Sequence, residues 1–372
     1  MSRGVYIFAG GATGGHLYPA IAVADELKRY QPDAHVVFAC SNHDIDRRVL
    51  TSRSYAYIPQ PMRSLPRKIM EIPSFVHCLS SSLRLCKRVV KDLKPVAVVG
   101  TGGYVSVPMI LSAARAGIRT ALISIDAVVG KANKYLAKKV EAAFVQFDRT
   151  VDSLNGVTKV IKVGCPIRRE LLRGDADEAR RLWGLSDRRK TLLIMAGSLG
   201  ATNINRAVAA IADDLDELAD DWQILHICGH GKLDETAGKV SRIRYVVMEY
   251  CHQISHAYAV SDLVLARAGA STIGELAAVG LPAVLMPYPY HSDRQQYLNA
   301  EEMAHRGSAV IVDDASDVQS NAVSLRSSLL EIMRNPARLE AMTHVAKSNV
   351  ASDAADKIAR WMLGQNEEDL ND

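Results

Sequence analysis

This chain of 372 residues lacks an uninterrupted apolar run of membrane-spanning length, a cysteine pair, and a strong excess of either charge. Each absence removes a class of function. The longest uncharged stretch, Pro95 to Ala114, is broken by Gly100, Gly102, Gly103 and Pro108, which suits a buried strand, a loop and a helix rather than a span. The cysteines, Cys40, Cys78, Cys86, Cys165, Cys228 and Cys251, are scattered with no C-x-x-C pair and no metal-ligand spacing. They read as small buried apolar side chains in a reducing compartment, and no metal or other cofactor is expected. A net charge of +4 falls far short of what a duplex-binding protein concentrates, so nucleic acid is not an expected partner. No secretory leader is visible, because the chain enters the apolar segment Val5–Phe8 almost at once; a cytoplasmic protein is expected.

What is present is an alternation. Apolar runs of four to seven residues occur at Val5–Phe8, His35–Cys40, Val96–Gly100, Thr120–Ser124, Lys159–Val163, Thr191–Met195, Gln223–Cys228, Asp262–Ala266, Pro282–Met286 and Ala309–Val312. Segments of helical period lie between them. Near-continuous apolar strands separated by helices predict an α/β fold with parallel sheets covered on both faces. The opening unit occurs twice. Val5–Phe8 runs into Gly10-Gly11-Ala12-Thr13-Gly14-Gly15-His16, and Thr191–Met195 runs into Gly197-Ser198-Leu199-Gly200. Two such openings predict two Rossmann-like, doubly wound halves with a ligand cleft between them and a boundary near Gly164-Cys165-Pro166. The expected domains are 1–164, 165–345, and a C-terminal segment 346–372. In that segment an amphipathic stretch runs from Ala346 to Leu363 and an acidic, disordered tail follows it.

Glycine turns after a first strand bring backbone close to a phosphate and aim helix N–H groups at it. A nicotinamide dinucleotide fits poorly, since the second strand ends Phe38-Ala39-Cys40-Ser41-Asn42 with no acidic residue before Asp44, and G-x-G-x-x-G spacing is missing. The stretch Ala266-Arg267-Ala268-Gly269-Ala270-Ser271-Thr272-Ile273-Gly274-Glu275 follows a strand and opens a helix. Ser271 and Thr272 are placed to bind a diphosphate, and Glu275, one turn on, to accept both hydroxyls of a ribose. The same pattern also describes an ordinary capped helix with Glu275 favourable to its dipole. Gln295 and Gln296, in a polar cluster after Pro287 and Pro289, suit sugar hydroxyls.

These stretches, with Gly102-Gly103-Tyr104-Val105-Ser106 and Gly164-Cys165-Pro166-Ile167-Arg168, resemble the MurG family of inverting GT-B glycosyltransferases in the same order along almost the whole chain. The resemblance implies transfer of GlcNAc from UDP-GlcNAc to lipid I, a polyprenyl-diphosphate-linked acceptor, giving lipid II for peptidoglycan, at the inner face of the cell membrane. It places an acceptor- and membrane-side domain first and a UDP-sugar domain second, with the C-terminal helix returning to the first. It assigns Ser198 and Thr272 to the diphosphate, Arg168 close to the nucleotide, the backbone at Cys251 to uracil, Glu275 to ribose, and Gln295 and Gln296 to the transferred sugar. Thr13, Gly14 and Gly15, on the first glycine turn, join the UDP-sugar site, and His16 at the end of that turn faces the reacting centre as base. Asp126 is the second candidate. Departures from the family pattern cluster on the acceptor side. Ile123-Ser124-Ile125-Asp126 stands where His-Glu-Gln-Asn is usual, Val107 and Ala12 stand for glycines, and Leu199 stands for a glutamine.

The region 61–91 carries an expectation of its own. Pro61 to Met70 interleaves Arg63, Arg67 and Lys68 with large apolar residues. The following helix predicts a core stripe at Phe75, Leu79, Leu83, Cys86 and Val90, opposite Arg84, Lys87, Arg88 and Lys91. The basic face and the loop together suit an anionic membrane surface.

Overall fold

The computed structural model describes residues 4–66, 68–154, 156–195, 200–236, 242–315, 317–350 and 352–365. Seven strands form the first sheet: β1 Val5–Ala9, β2 His35–Cys40, β3 Ala56–Pro59, β4 Ala97–Gly100, β5 Arg119–Ser124, β6 Ala142–Val145 and β7 Lys159–Lys162. Six form the second: β8 Lys190–Met195, β9 Trp222–Ile227, β10 Arg244–Met248, β11 Leu263–Ala266, β12 Ala283–Leu285 and β13 Ala309–Ile311. All pairings are parallel. The orders are β3-β2-β1-β4-β5-β6-β7 and β10-β9-β8-β11-β12-β13. In each sheet the chain runs outward from its first strand and then crosses back, so the order reverses between β1 and β4 and between β8 and β11. Ligands of such sheets bind beyond the carboxyl ends of those strands.

The α/β class and the two doubly wound parallel sheets match the reading of the sequence. Three strands were not foreseen. The edge strands β3 and β10 are only partly buried; β3 is short and ends in Pro59, whereas β10 carries an apolar run, Tyr245-Val246-Val247-Met248, that was passed over. The short β6, Ala142–Val145, is fully buried but half alanine, a weak strand signal.

The chain divides into two compact units. One takes it up to Arg168 and resumes at Ser352; the other runs from Arg169 to Ala351. Each has its own core, built in the first around Ile7, Val98, Ile110 and Leu122 and in the second around Ile194, Trp222, Ile224 and Leu265. The C-terminal helix, Ala354–Met362, packs within the first unit. Trp361 meets Phe144 edge-on at 5.6 Å and lies 4.3 Å beneath the Arg119 guanidinium, while the Tyr30 hydroxyl donates to Asp356 Oδ1 at 2.7 Å. The expected amphipathic stretch from Ala346 is in fact split. One helix ends at Ser348 and the next begins at Ala354, since the Asn, Ser and Asp residues between them are weak helix formers. The tail beyond Gln365, expected to be disordered, lies outside the described residues.

Candidate active site

In the first unit the helix Gly14–Tyr30 starts directly after the turn that follows β1. Thr13 is its N-cap in an extended conformation, yet its side chain makes no capping bond. The Thr13 hydroxyl instead lies 3.2 Å from His16 Nδ1, and the same nitrogen is 3.2 Å from the Gly11 carbonyl oxygen. A carbonyl only accepts, so Nδ1 donates in this contact, which in the neutral ring makes Nε2 the acceptor. The imidazole packs on the turn after β4: a Cβ on Gly102, whose φ is +104°, would stand 3.0 Å from His16 Cδ2. Only glycine lets that backbone come so close.

The turn is held from behind by Asp46, a fully buried carboxylate on the helix Asp44–Ser52. It accepts from Ala12 N–H at 2.9 Å and from the Ser41 amide and hydroxyl at 3.0 and 2.6 Å. Its Oδ2 lies 2.2 Å from where a Cβ on Gly11 would be. Charge-assisted bonds of this kind fix a turn rigidly. They hold Ala12 at φ +71°, a left-handed conformation costly for a residue with a Cβ. Asp46 was missed in the sequence because an acid on the first turn of a helix is usually a dipole partner. Its burial is a tertiary fact.

Beyond the ends of β1, β4 and β5 lies a cavity of about 810 Å³. One end is lined by His16, Thr101, Gly102, Ser124, Asp126 and Asn133, so both candidate bases face the same space. The hydroxyl of Thr101 and Oδ1 of Asn133 are buried there without a hydrogen-bond partner. Such orphans are rare in folded proteins and need an explanation. The other end is lined by Met62, Phe75, Leu79, Leu83, Val107 and Leu111. This corrects the expected core stripe. Leu83, half-buried, packs against the core with Cys86 and Val90, where burial pushes the Cys86 thiol up to about 12, but Phe75 and Leu79 are only half-buried and, with the outer side of Leu83, form the cavity wall. Helical period identifies a shared face without saying what that face meets. Arg168 closes the first unit with its guanidinium 4.4 Å over the Tyr18 ring, a cation–π contact on the helix that carries His16.

In the second unit the strand β11 runs through Arg267 into the helix Ala270–Val279, whose N-cap Gly269 offers no side-chain acceptor. Half-buried Ser271 and Thr272 occupy its first turn, and Ser271 Oγ is buried without a partner. An uncapped helix start with an unsatisfied hydroxyl is suited to an anion. Glu275 is half-buried one turn on and accepts from the Tyr258 hydroxyl at 2.7 Å, which orients its carboxylate. Gln295 and Gln296 open the helix Gln295–Arg306. Tyr288 N–H donates to Gln296 Oε1 at 2.9 Å and Gln295 N–H donates to Asp293 Oδ1 at 3.2 Å, so the proline-rich loop is folded onto the paired glutamines.

Arg267 braces this region. It donates to the carbonyls of Met286 and Pro287 at 2.9 and 3.1 Å and to Asp314 at 2.8 Å. The Asp314 side chain is fully buried and also accepts from Asn203 and Asn321. Neither this network nor Tyr258 was foreseen, because the partners lie far apart in sequence. Cys251 follows the edge strand β10, half-buried, with its thiol pushed up by burial. Ser198 lies outside the described residues.

Two sequence families match the chain: the glycosyltransferase family 28 N-terminal domain over residues 6–145 and the glycosyltransferase family 28 C-terminal domain over residues 191–358. Among curated relatives is a UDP-N-acetylglucosamine–N-acetylmuramyl-(pentapeptide) pyrophosphoryl-undecaprenol N-acetylglucosamine transferase from Salinibacter ruber. It is 34% identical over 362 residues, which cover 96% of this chain and 95% of the relative. The enzyme of the same name from Desulforudis audaxviator is 32% identical over 365 residues, covering 95% and 96%. Among solved structures, MurG of Acinetobacter baumannii superposes with a TM-score of 0.77 at 24% identity, covering 98% of this chain and all of that one. The UDP-GlcNAc 2-epimerase of Neisseria meningitidis, solved with UDP-GlcNAc bound, superposes with a TM-score of 0.65 at 16% identity, covering 97% of this chain and all of that one.

Proposed function

The chain belongs to glycosyltransferase family 28, and we propose that it carries out the reaction its curated relatives are named for, transferring GlcNAc from UDP-GlcNAc to lipid I and forming lipid II. It is a hexosyltransferase of the GT-B fold. The observation that carries the mechanism is His16, held through Nδ1 by the Gly11 carbonyl and lining the cavity of the first unit. In the transfer, the acceptor hydroxyl oxygen attacks the anomeric carbon of GlcNAc as His16 takes its proton. The bond from that carbon to the UDP diphosphate breaks, UDP leaves with the electron pair, and the configuration inverts. Departing charge is held by the helix start at Ser271 and Thr272, with the ribose on Glu275 and the sugar hydroxyls on Gln295 and Gln296. Ser198, Arg168 and the backbone at Cys251 complete the donor site. Asp126, on the same cavity wall as His16, is the alternative base.

The acceptor is membrane-bound, and the first unit has a surface suited to it. Leu65, Ile69, Met70, Ile72 and Val76 are exposed, Ile69 and Met70 by 84% and 90%. Arg63, Lys68, Arg84, Lys87, Arg88 and Lys91 are exposed around them. Exposed apolar side chains within a basic field favour an anionic bilayer; Arg67 lies outside the described residues. The contact proposed is peripheral, on the inner face; among the described residues no helix is long and apolar enough to cross a membrane.

A second reading keeps the donor and changes the acceptor. It is favoured by the aliphatic Val107, Ile123 and Ile125 on the cavity wall. The test is an assay of the purified protein with UDP-GlcNAc and a lipid I analogue in the presence of a chelator. Transfer is the expected result. Hydrolysis of UDP-GlcNAc without transfer would point to another acceptor, and UDP binding without either would overturn the enzymatic assignment.

A further inference from the structure

The cavity of the first unit has two chemistries at its two ends, and both point outward from the protein's own needs. At the polar end, Thr101 Oγ1 and Asn133 Oδ1 are buried and unpartnered, a donor and an acceptor awaiting a polar ligand. Arg115 and Lys131 also line the cavity, Arg115 one turn beyond Leu111 on the helix Ser106–Arg115. At the other end Phe75, Leu79, Leu83, Val107 and Leu111 present only hydrocarbon. Phe75, Leu79 and Leu83 stand on successive turns of the helix Ile72–Leu93 and so form a continuous strip. Leu65 belongs both to the cavity wall and, at 57% exposure, to the exposed apolar run that continues through Ile69 and Met70. The hydrocarbon end is thus continuous with the surface proposed to face lipid.

We propose that this end is a binding site for the first isoprene units of the acceptor's polyprenyl chain, next to its diphosphate. The cavity is of the size of small-molecule sites and cannot hold a long chain, so the remainder of the tail stays in the bilayer. The site selects acceptors by their tail as well as their sugar. It also sets the position of the head, because a tail anchored along Phe75, Leu79 and Leu83 leaves the diphosphate and sugar toward Thr101, Asn133 and His16. The inference rests on the acceptor being a prenyl diphosphate, and its test separates the two claims.

Two acceptor analogues with the lipid I head are compared in buffer free of detergent and vesicles, one with a ten-carbon geranyl tail and one with a methyl group. The geranyl analogue should have a KM about 10- to 100-fold lower at similar kcat, the effect expected from moving several methylene groups out of water. Val107→Phe, which fills the site while keeping it apolar, and Leu83→Gln, at a half-exposed position, should each bring the KM ratio toward one. Binding of geranyl diphosphate alone, read by calorimetry against methyl diphosphate, should weaken in the same two variants. Equal KM values for the two analogues, or a ratio that survives in both variants, would overturn the tail site and leave the transferase assignment intact. Failure to glycosylate either analogue, with geranyl diphosphate still bound and released by Val107→Phe, would support the site and overturn the acceptor.

Discussion

The two sheets share one strand order through their first six strands, yet the turns at their switch points are built from different materials. In the first unit the turn after β1 is glycine-rich and held by backbone bonds to the buried Asp46, and the space beyond it is half hydrocarbon. In the second, the turn after β11 is braced by the Arg267–Asp314 ion pair and by side-chain amides, and its helix start is polar. The scaffold supplies a place for a ligand at each switch point, and the two places differ in chemistry: glycine-rich backbone beside hydrocarbon on one sheet, a polar helix start on the other.

The largest effect expected from breaking this division is at His16. His16→Ala should lower kcat by about two to four orders of magnitude, the range for losing general base help, with UDP affinity little changed. Near-normal turnover at saturating substrates would transfer the base role to Asp126.

Next is the brace of the second unit. Asp314→Ala leaves Arg267 and two asparagines without their shared acceptor, and should destabilise that unit by about 3–5 kcal/mol. Denaturant unfolding followed by tryptophan fluorescence in a Trp361→Phe background, which leaves the signal to Trp183 and Trp222 of the second unit, measures this. An unmoved midpoint would show that the network contributes nothing.

Acid should separate the units further. His226 is buried, its Nε2 bonded to Asn205 Oδ1 at 3.0 Å and its Nδ1 to the Tyr245 hydroxyl, and burial lowers its pKa to about 3. With the folded value below the unfolded one, the unfolded chain takes up the extra proton between pH 6.5 and 3. The stability of the second unit therefore falls as pH drops through that window, by about 1.4 kcal/mol per pH unit. Replacing His226 by Asn should flatten this slope, as read from melting at pH 7, 6 and 5; an equally steep slope in the variant would refute the assignment.

Donor binding is a smaller effect. Glu275→Ala should weaken UDP by about 1–3 kcal/mol, the usual cost of unpaired hydrogen-bonding groups, and calorimetry showing unchanged affinity in a folded variant would remove Glu275 from the ribose site. Smallest is Ala12→Gly, which relieves a left-handed alanine and should stabilise the first unit by about 1 kcal/mol. A lower melting temperature would mean that Asp46 tolerates alanine there without strain.

Of the fold, the ten strands foreseen were legible because most are short runs of apolar side chains, and burial on both faces demands that composition locally; half-buried β7 carries only Val160 and Ile161 between lysines. The glycine turns were legible for the same reason: the need for close backbone approach is written at the position itself. Ala12 shows the converse. It could be seen as a departure from the family pattern, but its φ of +71° comes from the carboxylate of a residue 34 positions away.

What the sequence alone determined, then, is whatever depends on neighbours in the chain: strand and helix periods, turn positions, and the candidate residues that stand on those turns. The tertiary structure decided everything that depends on residues meeting across the fold. It set His16 against Gly102, Asp46 behind the first turn and Arg267 on Asp314. It turned Phe75 and Leu79 from part of an expected core stripe into a cavity wall, and it brought the C-terminal helix onto Phe144 and Arg119. The physical reason is that a side chain's character fixes what it can pair with, whereas its burial and its partner are set by distant segments whose approach no local pattern encodes.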